Sequence, residues 1–286
     1  MRLSYEQQTI ETPESLFIAA LNNSENGIRF YNNNLKDAEY ISYFNLARIA
    51  REYAAELSQQ GVDFQDRVLL CAENSPEFVI AWLALLQLGA VPVPIPPSAT
   101  LAGDDSFLQR VRPILPYHQH FICRTADYEK WHDSPEAKGV RFIDISGFTP
   151  ARNDYHFSGP ISFPQVTDDS EAFIQYTSGS TSAPKGIVIT YRNIVENTAA
   201  LADAIGVDDE SCFLSWLPLY HDYGLVCNFM LCVLQRCNYV LTSPMAFIKR
   251  PIRFLQLVGR HKVTAMCMPN FALEQILNAS KRIQDE

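Results

Sequence analysis

The residues in this 286-residue sequence that could do chemistry lie together, between two β-rich runs: Tyr176-Thr177-Ser178-Gly179-Ser180-Thr181-Ser182-Ala183-Pro184-Lys185-Gly186. Two glycines and five Ser/Thr hydroxyls make a loop of small donors. Such a loop can bring backbone N–H groups and hydroxyls close to phosphate oxygens. Lys185 adds a positive charge. The same composition also fits an ordinary polar hairpin loop. It is not a Walker A loop, because Lys185 precedes Gly186 and a β-branched run instead of opening a helix. No G-x-S-x-G nucleophile elbow occurs in it. Ser182-x-x-Lys185 has the spacing of a lysine-assisted serine acyl-enzyme. That chemistry needs one helical turn, whereas Gly186-Ile187-Val188-Ile189-Thr190 reads as a strand.

Other reactive side chains are dispersed. The seven cysteines stand at 71, 123, 212, 227, 232, 237 and 267, with no C-x-x-C pair. An odd set without that spacing implies free thiols in a reducing compartment. Cys227, Cys232 and Cys237 step by five, which places successive members roughly 140° apart on a helix and prevents convergence on a metal. His118 and His120 suit one face of a strand but have no third ligand. His221, after Pro218 and before Asp222 and Gly224, reads on its own as a turn entering a buried helix.

The elements around these residues alternate. Leu46, Ile49, Ala50, Tyr53, Ala54 and Leu57 predict an amphipathic helix over 43–60, stopped by Gly61. Arg67–Cys71 reads as a buried strand. Ser75, Pro76 and Glu77 then form a helix start, and Gly89 a helix stop. Val91–Ile95 is extended, a helix follows over about 105–115, and His120–Cys123, Arg141–Ile145 and Ala172–Tyr176 read as strands. Strand and helix in alternation imply parallel pairing and an α/β fold. Residues 147–170 look like a long surface connection. Further on, the pattern predicts helices over 192–205, 223–235 and 271–282, and strands at Val240-Leu241 and Val263–Met266.

Composition narrows the classes. The formal charge is −9 and the pI about 5.2, which disfavours nucleic acid and anionic membranes as partners. The uncharged stretch 78–103 is broken by Gly89 and four prolines, so it is read as a buried helix and strand and no membrane span is expected. The N-terminus has no apolar signal region.

Tyr176–Gly186 resembles the phosphate-binding signature of the adenylate-forming superfamily: acyl-CoA synthetases, luciferases, peptide-synthetase adenylation domains and fatty acyl-AMP ligases. Ser182 in place of a glycine is similar to the fatty acyl-AMP ligase branch. Ile41–Leu46, Leu83–Pro94 and Ser215–Gly224 resemble three further motifs in the same order, and Leu217-Pro218-Leu219-Tyr220-His221-Asp222 is again similar to that branch.

The resemblance implies an α/β fold with parallel-rich sheets flanked by helices in two interleaved subdomains, one over about 65–200 and the other from 1–64 plus 201–286. It implies ATP and Mg²⁺ as cofactors, and activation of a fatty acid to acyl-AMP. The acyl group then passes to an acyl carrier protein, or to CoA in the sister branch. Thr177, Ser178, Gly179, Ser180, Thr181, Lys185 and Gly186 would hold phosphates. His221 would offset negative charge in the transition state, and Trp216 and Tyr220 are candidates for the acyl pocket. The resemblance also implies a cytoplasmic location. The family's adenine segment, its metal-binding glutamate and its lysine-bearing C-terminal domain find no counterpart here. This predicts an N-terminal portion inactive alone, no metal ligand, and an open edge on the sheet holding residues 236–270. A non-catalytic remnant that binds phosphate or a partner is the alternative.

Overall fold

The structure, a computed structural model, describes residues 25–101, 104–148, 166–177 and 184–284. Strands β1 (Gly27–Tyr31) and β2 (Ala38–Ser42) pair antiparallel, with Ile28 opposite Ile41. A β-carbon at position 27 would lie 2.3 Å from the Ile41 carbonyl oxygen, so only glycine fits there. Ser42 caps α1 (Tyr43–Gln59), its hydroxyl accepting the Asn45 N–H at 3.3 Å. The predicted apolar stripe of α1 is buried throughout.

Strand β3 (Arg67–Cys71) leads into α2 (Pro76–Leu88), capped by Ser75 and ended by Gly89 at φ 65°. Every residue from Phe78 to Gln87 is buried. A helix apolar on all sides is stable only inside the molecule. It packs on α1, with the Gln87 amide donating to the Ala47 carbonyl at 3.2 Å.

Strand β4 (Val91–Ile95), helix α3 (Asp104–Val111), strand β5 (His120–Cys123), helix α4 (Thr125–Trp131) and strand β6 (Arg141–Asp144) follow. The four strands form an all-parallel sheet in the order β4-β3-β5-β6. Pro92 and Pro94 are tolerated because β4 is an edge, where a missing N–H disrupts no further ladder. Helix α3 stops at Val111, short of the predicted 115, because Pro113 cannot continue it; Leu115–Tyr117 is a separate 3₁₀ turn.

Strands β7 (Glu171–Thr177) and β8 (Lys185–Thr190) form an antiparallel hairpin. Helix α5 (Tyr191–Ile205) starts on a capping box between Thr190 and Asn193. After β9 (Cys212–Ser215) a single helical run comprises α6 (Asp222–Gly224), a π-helical segment (Leu225–Met230) and α7 (Leu231–Gln235). Strand β10 (Asn238–Leu241) precedes α8 (Pro244–Lys249), α9 (Pro251–His261) and α10 (Asn270–Gln284).

The first sheet has the order β2-β1-β10-β9, so it is built from both ends of the chain. Strands β1, β10 and β9 run parallel. The predicted strand at Val263–Met266 is reduced to a single bridge, Ala265 to Phe213. Among the described residues nothing pairs beyond that bridge, so this sheet has an open edge. No helix among them is long and apolar enough to cross a membrane.

Trp82 of α2 is 0% exposed; it stacks on Phe78 at 6.3 Å between ring centroids and meets Phe173 of β7 edge-on at 5.3 Å. Trp82→Ala is expected to cost about 3–5 kcal/mol in urea denaturation. Its effect should be less than additive with Phe173→Ala.

Candidate active site

The segments that leave the C-terminal ends of the parallel strands converge. The loop after β3 touches the turn after β9 and the residue after β10 through Asn74. The Gln175 amide of β7 donates to the Tyr220 carbonyl at 3.0 Å. In open α/β sheets this end is where ligands bind.

A cleft of about 620 Å³ opens there, bordered by Arg110, Tyr176, Thr177, Pro184, Tyr220 and His221. Arg110, from the last turn of α3, is exposed and brings a positive charge to it. The hairpin sets Thr177 opposite Lys185 and Tyr176 opposite Gly186 at the cleft mouth. Lys185 is exposed and forms no ion pair among the described residues. Its place on a strand removes the helical Ser182-x-x-Lys185 arrangement. Ser178, Gly179, Ser180, Thr181 and Ser182 lie outside the described residues.

His221 stands at the entrance to α6 with an extended backbone, φ −117°. Its N–H donates to the Pro218 carbonyl at 3.2 Å, and its own carbonyl accepts the Leu225 N–H at 2.9 Å. The ring is 66% exposed, with Nδ1 2.6 Å from an Asp222 carboxylate oxygen and 3.2 Å from the Tyr223 N. Nδ1 is therefore engaged, which leaves Nε2 without a hydrogen-bond partner among the contacts of the described residues. The turn is tight: a β-carbon on Gly224 would lie 2.2 Å from the Pro218 carbonyl oxygen. Glycine is needed at 224 for this close approach and not for an unusual φ.

A second cleft of about 500 Å³ lies behind the same wall, bordered by Phe173, Ile187, Ile189, Ile194, Val226 and Cys227. Gln175, Thr177 and Asp222 border both clefts. The π winding helps shape the second one. Leu225–Met230 is wound as a π-helix, and within it the buried Asn228 side chain donates to the Tyr223 carbonyl. Val226 and Cys227 are thereby presented to the cleft. The sequence offered the uncharged run 223–235 as a helix but no sign of the extra residue in its turn.

Tyr220 borders the first cleft, its phenol raised above the usual value by burial. Trp216, the other acyl-pocket candidate, borders neither cleft. It is 4% exposed, stacked on Phe247 at 4.3 Å and against Phe271 at 5.9 Å, and serves as core.

The seven cysteines are free. Among the described residues no three His, Cys, Asp or Glu side chains are placed to hold a metal ion. His118 Nδ1 lies 2.7 Å from the Ile114 carbonyl oxygen and is tied into the fold, while the buried His120 Nδ1 stands 3.7 Å from an Asp66 carboxylate, beyond hydrogen-bond range.

A parallel α/β fold with a polar loop and two unlike clefts at its strand ends defines a nucleotide- or phosphate-dependent enzyme class. The family model described as AMP-binding enzyme matches residues 19–286, and the chain belongs to that family. It is 33% identical over 250 residues to the medium-chain-fatty-acid–acyl-carrier-protein ligase JamA of Moorena producens, a match covering 87% of this chain and 42% of JamA. It is 34% identical over 258 residues to the long-chain-fatty-acid–AMP ligase FadD23 of Mycobacterium tuberculosis, covering 87% of this chain and 43% of that protein. The crystal structure of a fatty acyl-adenylate ligase from Legionella pneumophila, in complex with acyl adenylate and pyrophosphate, superposes with a TM-score of 0.80 at 26% identity, over 94% of this chain and 46% of that one. The chain spans about two fifths of the length of the curated relatives it matches.

Gly224→Ala forces the turn apart and is expected to cost about 1–3 kcal/mol, read from urea denaturation. Burial holds His118 below the ordinary imidazole value of 6.5. Above that value the imidazole is neutral in both states. Below it the unfolded chain takes up a proton that the folded chain refuses, so stability falls as pH drops toward the folded value. His120 and His261 are lowered by the same cause and act in the same direction. The urea midpoint should therefore fall between about pH 7.5 and about pH 5, with a smaller fall in His118→Gln.

Proposed function

We propose that this chain supplies the phosphate loop, the His221 turn and the acyl cleft of an ATP-dependent ligase that activates a fatty acid as its acyl-AMP. The observation that carries this reading is the shared wall of Gln175, Thr177 and Asp222. On one side lies a cleft bordered by Arg110, His221 and Thr177, suited to anions. On the other lies a cleft lined mainly by apolar side chains, suited to a hydrocarbon chain. A fatty acid whose tail fills the second cleft brings its carboxylate to the wall.

The reaction joins two anions: a carboxylate oxygen bonds to the α-phosphorus, and the bond from that phosphorus to the bridging oxygen breaks as pyrophosphate leaves. ATP, when bound, supplies the adenylyl group. The residues of this chain position and neutralise. Lys185 and the donors of residues 177–181, with Gly186 behind them, hold the polyphosphate, and His221 Nε2 faces the oxygens that gain charge. Tyr220 borders the nucleotide cleft in this reading. Mg²⁺ is expected for such chemistry, with its ligands outside the described residues.

The similarity to JamA supports an acyl carrier protein as the acceptor of the acyl group. Two interleaved subdomains, about 65–200 and 1–64 plus 201–286, fit a first sheet drawn from both ends of the chain. Seven free cysteines fit a cytoplasmic setting.

ATP–pyrophosphate exchange with medium- and long-chain fatty acids tests the reading. It should be run on the 286-residue chain and on a version extended by the remaining length of the matched relatives. Exchange is expected in the extended version only, and His221→Ala should lower it about 100-fold. Fatty-acid-independent exchange, or none in the extended version, would count against the proposal.

A further inference from the structure

We infer that Asn74 is a positioning residue for His221, holding the turn that carries the histidine at the junction of the two four-stranded sheets. This rests on the adenylating reading for the role of His221, but the geometry of Asn74 stands apart from it.

Asn74 belongs to the loop between β3 and α2. Its backbone is fixed by the start of α2, where Ser75 caps the helix through the Phe78 N–H at 3.3 Å. From there the half-buried side chain crosses to the other sheet. Nδ2 donates to the Leu217 carbonyl and to the Thr242 carbonyl, both at 2.9 Å, with the Trp216 carbonyl at 3.5 Å. Oδ1 accepts the Leu219 N–H at 2.9 Å. Two donors and an acceptor of one planar amide at the exit of β3 are thus used on two further segments, the exit of β9 and the exit of β10.

The bonds bracket Pro218. Leu217 and Leu219 are both fixed, and the Pro218 carbonyl between them accepts the His221 N–H and touches Gly224. Ser215, fully buried, secures the root of the turn: its hydroxyl accepts the Leu217 N–H at 3.1 Å and its carbonyl the Thr242 N–H at 2.9 Å. On the far side Gln175 holds the Tyr220 carbonyl. The turn is clamped from two directions, and Asn74 is the clamp reaching over from the second sheet.

The chemistry demanded at 74 is specific. Aspartate has the same shape but turns an acceptor toward two carbonyl oxygens where two N–H donors are required. Alanine leaves the Leu219 N–H and two carbonyls without their partner. Neither change touches the cleft, so the effect must travel through the turn.

Hydrogen exchange in this chain, wild type against Asn74→Ala and Asn74→Asp, tests the placement. The Leu219 amide should lose protection about tenfold or more, and residues 216–222 should exchange faster, with the amides of α2 unchanged. Unchanged Leu219 protection in both variants would overturn the inference. So would a loss in the near-isosteric Asp variant that spreads through α2, because Asn74 would then support the whole fold. Should the Ala variant fail to fold, the Asp variant carries the comparison.

A second arm measures exchange kinetics in the extended version. Asn74→Ala should lower kcat about 100-fold and leave the KM for ATP within about twofold. It should have no further effect once His221 is alanine. Independent, multiplying losses would overturn the positioning role. Absence of exchange in the wild type would sink the adenylating reading alone, and the amide protection of Leu219 would still decide the case of Asn74.

Discussion

Helix α2 is buried on every side, and the placement of both sheets follows from where its surfaces go. One side meets α1, which rides on the first sheet through Ser42; Trp82 reaches Phe173 on the hairpin. Its N-terminus presents Asn74 to the exits of β9 and β10, and its C-terminus turns at Gly89 directly into β4. A helix of this kind cannot slide or rotate without exposing apolar surface, at about 25 cal/mol per Å². It therefore fixes the distance between the phosphate hairpin and the His221 turn, although it contributes no residue to either cleft.

The charge distribution follows the same division of labour. The chain is acidic overall at −9, yet Arg110 and His221 border one cleft, while the second is bordered by Phe173, Ile187, Ile189, Ile194 and Val226 together with amides, Thr177 and the Asp222 carboxylate. Net charge thus says little about the ligand. What matters is which cleft a cation borders, and Arg110 and His221 border the first.

Local signals in the sequence carried much of the fold. Ser75-Pro76 and Gly89 marked the ends of α2, the 3.6-residue stripe marked α1, and strand–helix alternation marked the parallel sheet. These rest on neighbours within a few positions. What escaped rests on distant partners. Asn74 sits 142 to 168 positions from the carbonyls it binds. The four- and five-residue strands β1, β2 and β9 carry too few residues for a clear alternation. Residues 263–266 have a strand's composition, but only Ala265 finds a partner. Trp216, just past the end of β9, packs into the core against Phe247, a partner 31 positions away. The apolar cleft was not legible, because its lining comes from segments far apart in sequence: Phe173, Ile187 to Ile194, and Val226 with Cys227 in the π-wound turn.

The wall between the clefts is one layer of side chains thick. Gln175, Thr177 and Asp222 each present one surface to the anion side and another to the apolar side, and Gln175 is also bonded to the Tyr220 carbonyl. Thermodynamic linkage follows from that economy. An occupant of the apolar cleft that shifts any of the three alters the affinity of the anion cleft, and the anion must alter the affinity for the apolar occupant by the same factor. In the proposed function the two clefts are therefore not independent compartments but a single coupled receptor, in which the order of filling affects rates while the total binding free energy stays the same.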